Sequence, residues 1–352
     1  MSDREDILAD TRALARDAWG HGVEILDVAP LAGDASSRRY FRARVRGTSA
    51  PTAVLMVQSG SGLSISSDEL SSVGDVAEMP FLDVQRYLRS RGVAVPEVYA
   101  ADSTRGLALL EDVGDTTLWD AARAVADPAP LFRAAIDELV TLQRAGAERP
   151  DPQCIAFRQR FDARLFLWEF EHFLEFGFGG RTVTPDDLGW LRRRFEEIAE
   201  ALAAGPFALT HRDYHGWNLF VHEGRVRVID FQDALLAPIP YDLATLLNDR
   251  ATPTRVDPAL ERVLVAYFCE CRSAVFGDEL RPEAFVPRYF LFVLQKSLKI
   301  VGRFHYLEEV KGKRGYVAML PHTFATMRRC FDNLPALGDL RAALARSFPE
   351  IG

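Results

Sequence analysis

His211-Arg212-Asp213-Tyr214-His215-Gly216-Trp217-Asn218, followed by Val228-Ile229-Asp230-Phe231, sets an Asp and an Asn five positions apart and a second Asp beyond a short hairpin. Those residue types at that spacing suit phosphoryl transfer. Asp213 can accept or orient the proton of an attacking hydroxyl. Asn218 can give Mg²⁺ a neutral oxygen, and Asp230 can bring the anionic oxygen that holds the metal between phosphates. Each residue alone would serve an ordinary loop; the three together specify the chemistry.

Such groups need a scaffold. A helix is expected over 4–19. Val23–Val28, Tyr40–Val45 and Ala53–Val57 read as strands, the second by its alternation. A polar turn, Gly33 to Arg39, separates the first two, and the Gly/Ser-rich stretch 59–72 reads as a loop that could close over a nucleotide. A helix from Pro80 ends before Gly92; Val95–Ala100 and Leu107–Leu110 complete a set of five short strands. Beyond Asp115 helices are expected over 117–124, 129–145, 157–176, 185–204, 257–275, 282–304 and 321–348. One hairpin, 219–229, interrupts them between the two metal-ligand candidates. The expected fold class is therefore α+β: a small antiparallel lobe with one or two helices, residues 1–112, and a larger, mostly helical lobe, residues 113–352.

The 352 residues are 48% hydrophobic, ample for real cores. No run approaches the ~20 apolar residues of a membrane span, and the charged start does not read as a signal core. Four irregularly spaced cysteines fit a reducing compartment, so a cytoplasmic location is expected. The formal charge of −8 argues against nucleic-acid binding. Only four of the 42 basic residues are Lys, and Lys296 is the first of them.

The chain resembles the aminoglycoside phosphotransferase branch of the protein-kinase-like superfamily. Within it the closest similarity is to the bacterial kinases of cell-wall recycling that phosphorylate the anomeric hydroxyl of N-acetylmuramate and N-acetylglucosamine. The segments that carry this likeness are Gly33–Arg42, His211–Tyr214, Asp230–Ala234, Pro240-Tyr241-Asp242 and Gln295–Gly302. The resemblance implies a two-lobe kinase-like fold that uses ATP and Mg²⁺, with Asp213 as catalytic base and Asn218 and Asp230 as metal ligands. Glu111 to Val113 would be a hinge whose backbone meets adenine, while His211 and Asp242 would support the catalytic loop. A small-molecule acceptor, an amino sugar, and a monomeric state are also implied. One departure stands out: Met56 occupies the strand position where kinases place a phosphate-binding lysine. Ser36, Ser37, Arg38, Arg39 and Arg42 are the candidates to meet the phosphates instead, since guanidinium binds their oxygens bidentately; the other reading is a solvated strand face.

Several residues keep two readings. His211 and His215 are four apart, yet the Glu of a His-Glu-x-x-His zinc motif is missing; His215 could also meet the acceptor. Asp233 is a second metal contact or a turn residue. Glu169 and Glu171 bind sugar hydroxyls or are solvated or capping acids amid core aromatics. Gln295, Lys299 and Arg303 share one face of an apolar helix, so the two cations point at an anionic acceptor or at acids of their own lobe. The acceptor could instead be an aminoglycoside, choline or homoserine, and the missing strand lysine leaves room for a nucleotide-binding pseudokinase.

Overall fold

The computed structural model describes residues 2–31, 38–58 and 78–352. Helix α1 (Ser2–Trp19) leads into strands β1 (Glu24–Pro30), β2 (Arg38–Arg46) and β3 (Thr52–Gln58), helix α2 (Pro80–Ser90), and strands β4 (Val98–Asp102) and β5 (Leu107–Glu111). Helices α3 (Leu118–Ala124), α4 (Ala129–Glu148), α5 (Ala163–Phe176) and α6 (Pro185–Ala203) then run to strand β6 (Phe207–Thr210). A hairpin of β7 (Leu219–His222) and β8 (Arg225–Val228) and a strand β9 (Leu235–Pro238) follow. The chain ends in α7 (Tyr241–Asn248), α8 (Pro258–Phe276), α9 (Pro282–Glu309), α10 (Leu320–Asn333) and α11 (Gly338–Ala345). The architecture is α+β, an N-terminal antiparallel sheet followed by a mainly helical part. Ser36, Ser37 and the 59–72 loop lie outside the described residues.

Two compact units emerge. The first gathers Met1–Thr116, Asp151–Gln159 and Phe220–Ala234; the second holds Thr117–Pro150, Arg160–Leu219 and Leu235–Gly352. A single cut between residues 112 and 113 does not reproduce this division, because the hairpin segment rejoins the sheet unit. The Val228 N–H donates to the Ala94 carbonyl and the Val221 N–H to that of Thr116, both at 2.9 Å. Phe231 stacks on Phe81 with ring centroids 4.9 Å apart.

In the first unit the sheet runs β1-β2-β3-β5-β4, antiparallel throughout. Alternation sends Ala43, Val45, Ala53, Leu55, Leu107 and Leu109 to one face, where they pack with Ile7 and Leu14 of α1. The opposite face of β2 therefore carries Arg38, Tyr40 and Arg42.

In the second unit, aromatic residues join the helices: Phe161 lies 4.9 Å from Tyr241, and Phe166 5.8 Å from Phe292, centroid to centroid. Three expectations are corrected here. The helix expected from 157 starts at Ala163, because the Asp162 carboxylate caps it by accepting the Leu165 N–H at 3.1 Å. The helix expected over 321–348 breaks into α10 and α11 at Pro335, whose ring removes a needed N–H. The hairpin is not the one interruption: β6 pairs with β9, and α7 follows it.

Candidate active site

The catalytic-loop motif follows β6, and the second unit ties its backbone from behind. The Asp242 carboxylate, at the start of α7, accepts the N–H of His211 at 2.6 Å and that of Arg212 at 3.1 Å. Burial pushes this carboxyl up to about 6, against the pull of His211. Arg212 is left-handed, with φ 81°, a conformation that disfavours residues other than glycine. The Asp213 N–H then donates to His211 Nδ1 at 3.3 Å. Asn218 Nδ2 donates to the Asp213 carbonyl at 3.1 Å, and the Tyr214 hydroxyl anchors to the Ala135 carbonyl of α4 at 2.8 Å. Burial works to raise the Asp213 pKa, but Lys299, Lys296 and Arg212 outweigh it and hold the carboxyl well below its usual range.

Those lysines come from α9. Gln295 Nε2 donates to Glu169 Oε2 at 2.5 Å, and Lys299 forms an ion pair with the same carboxylate, which is 1% exposed. Burial would raise the Glu169 pKa, yet Lys299 and Lys296 hold it below the ordinary value. Next to it, burial and the nearby Arg303 and Lys299 push His172 of α5 down to about 4. Glu171 points elsewhere and pairs with Arg192 of α6 at 2.6 Å. Arg303 is exposed, its guanidinium 5.4 Å from the Tyr306 ring centroid. His215 is buried against Trp217, its Nδ1 without a hydrogen-bond partner among the described residues. Burial lowers its pKa.

In the first unit Asp230 is also left-handed, with φ 63°. Its Oδ1 accepts from Arg38 Nη2 at 3.1 Å and from Gln232 Nε2 at 3.2 Å. Arg42 forks onto Asp112 at 2.8 Å and Asp115 at 2.9 Å, and donates to the Gly114 carbonyl. Arg39 sits on the other face of β2, over Phe41 at 5.6 Å. The three arginines expected to act together are thus divided: Arg38 on a metal-ligand candidate, Arg42 on the turn after β5, Arg39 outward. Met56 is fully buried, paired with Tyr40 and Ala108 in the ladder. At the hinge, the Glu111 N–H is used by Glu97 and its carboxylate pairs with Arg227. The Val113 backbone makes no hydrogen bond among the described residues.

Asp230 Oδ2 and Asn218 Oδ1 have no partner among the described residues. An anionic and a neutral hard oxygen suit Mg²⁺. No three His, Cys, Asp or Glu side chains converge into a metal cluster among the described residues, so His211 and His215 gain no further ligand. Two residues escaped the sequence reading. Lys296 could have been found as the chain's first lysine, set in the apolar run of α9; His172 carried no signal, because a histidine among aromatics reads as core.

Residues 27–282 match the phosphotransferase enzyme family, APH. An N-acetylmuramate/N-acetylglucosamine kinase of Pseudomonas putida is 31% identical over 332 residues, covering 93% of this chain and 90% of the relative. Among solved structures, choline kinase from Cryptosporidium parvum superposes with a TM-score of 0.61 at 12% identity, over 99% of both chains. An amicoumacin kinase in complex with AMP-PNP and Ca²⁺ superposes with a TM-score of 0.58 at 17% identity, over 94% of this chain and 97% of that one. The fold is that of these kinase-like phosphotransferases. With the match spanning the β-sheet, the catalytic loop and the Asp230 segment, the chain belongs to the APH phosphotransferase family, enzymes that transfer phosphate from ATP to small molecules.

Proposed function

We propose that this phosphotransferase is an amino-sugar kinase, acting on N-acetylmuramate and N-acetylglucosamine at the anomeric hydroxyl. The observation that carries this reading is the 31% identity to a kinase of that name over 93% of the chain. Asp213 aligns the acceptor hydroxyl for in-line attack and takes up its proton as the bond forms. It is ionised at neutral pH and, with its pKa held low by Lys299, Lys296 and Arg212, is a weak base suited to orienting the hydroxyl before the proton moves. Mg²⁺ held by Asn218 and Asp230 would offset charge on the phosphate oxygens. Arg38, bound to Asp230, replaces the missing strand lysine as the fixed cation near that ligand. Val113 offers its unpaired backbone groups to adenine. With Lys296 buried and Lys299 paired to Glu169, the exposed Arg303 of α9 is the cation that would favour an anionic acceptor over a cationic one such as choline.

The test is ADP release from Mg²⁺-ATP with N-acetylmuramate, N-acetylglucosamine, choline, homoserine and kanamycin, and ³¹P NMR of the product. Amino-sugar turnover with phosphate on the anomeric carbon is expected, and Asp213→Asn should lower it by roughly 10²–10⁴-fold without loss of melting temperature. Turnover confined to choline, homoserine or kanamycin would sink the amino-sugar reading. Nucleotide binding without turnover on any of them would favour a pseudokinase.

A further inference from the structure

We propose that Lys296 is a positioning residue: from α9 it holds the carbonyl of the Arg212–Asp213 peptide and so fixes the direction of the Asp213 carboxylate. This rests on the reading of Asp213 as the group that aligns the acceptor. The peptide is gripped on both sides. Its C=O accepts from Lys296 Nζ at 3.3 Å, and its N–H donates to His211 Nδ1 at 3.3 Å. One residue earlier, the Arg212 N–H is held by Asp242. Between these grips Arg212 sits at φ 81°, a conformation that strains a residue with a Cβ. A strained backbone relaxes when one restraint is released, and the next side chain along is Asp213.

Lys296 is otherwise hard to account for. It is 6% exposed, and it pairs with no carboxylate among the described residues, since Lys299 takes Glu169. Its ammonium instead lies 4.0 Å from the Tyr241 ring centroid. Burial, with Lys299 close by, pushes its pKa down to about 8, so the fold carries a desolvation cost to keep this charge. Methionine would fill the same space without that cost. What the ammonium adds is its hold on the loop carbonyl.

The test compares Lys296→Met and Lys296→Arg in the full chain. Turnover with Mg²⁺-ATP and N-acetylmuramate is read beside melting temperature and amide hydrogen exchange of residues 209–215 without substrates. The Met variant should lose roughly 10²-fold in kcat with both KM values within about twofold of wild type. It should melt no lower and exchange the Asp213 amide faster. The Arg variant, which retains a donor, should recover much of the turnover. Wild-type kcat in the Met variant, or unchanged exchange at Asp213, overturns the proposal. If the wild-type enzyme turns over no amino sugar, the acceptor assignment has failed; the exchange comparison uses no acceptor and still decides the role of Lys296.

Discussion

Asp230 gives one oxygen to Arg38 and Gln232 and keeps the other free among the described residues, whereas Arg42 spends its guanidinium on Asp112 and Asp115. The two arginines should therefore fail differently. Arg38→Ala is expected to raise the KM for Mg²⁺-ATP about tenfold with little change in melting, as befits one lost charge-assisted contact. Arg42→Ala should cost roughly 1–2 kcal/mol of stability and leave that KM nearly unchanged; steady-state kinetics and urea titration separate the two. A second prediction concerns pH. The Lys296 pKa is about 8 in the fold against an ordinary lysine value of 10.5, so between those values the unfolded chain binds the extra proton and stability must rise with pH. Below pH 8 both states are protonated and the slope vanishes. Wild type should gain up to about 3 kcal/mol relative to Lys296→Met between pH 7.5 and 10.5, and parallel stability curves would contradict the buried-ammonium picture. Asp213, Asn218 and Asp230 stand out in the sequence as candidates because their spacing suits phosphoryl transfer. Lys296 was not, because its partner is a backbone carbonyl 84 positions away.

Helices α5 and α9 meet at Gly302, where an added Cβ would lie 2.8 Å from the Phe173 Cα and 3.0 Å from the His172 carbonyl oxygen. Backbone cannot yield as a side-chain tip does. Gly302→Ala should push the helices apart and lower stability by about 1–3 kcal/mol, despite the better helix propensity of alanine; a melting temperature at or above wild type would show that the contact gives way freely. Activity should fall as well, because the same pair of helices carries Glu169, Lys296 and Lys299. Long amphipathic helices were readable from sequence almost to their ends, since periodicity repeats over several turns. The four-residue strands β6 and β9 were not. Their pairing joins segments 25 or more residues apart and leaves no local pattern. Asp162 and Pro335 moved helix boundaries by capping and by ring sterics, effects of single residues that a periodic reading averages away.

The chain builds its first unit from three separated segments. A fragment ending at Thr116 would lack Phe231 against Phe81, the Val228 bond to Ala94, and the Arg227 partner of Glu111. Such a fragment should show no cooperative thermal transition by circular dichroism; a sharp one would mean that the sheet and α1 suffice. That interleaving was hidden in the sequence, where the natural reading is one lobe followed by another, because return of a distant hairpin depends on long-range packing, backbone hydrogen bonds and an ion pair that leave no local pattern. Charge is just as unevenly distributed. All four lysines fall at or after position 296, Met56, at the position where the resemblance leads one to expect a strand lysine, is buried, and the cation beside Asp230 is a guanidinium, which is no nucleophile. Acylating nucleotide analogues that tag kinases through a strand amine would therefore find nothing to modify in the first unit, and a fully active enzyme would pass through such a labelling survey unmarked.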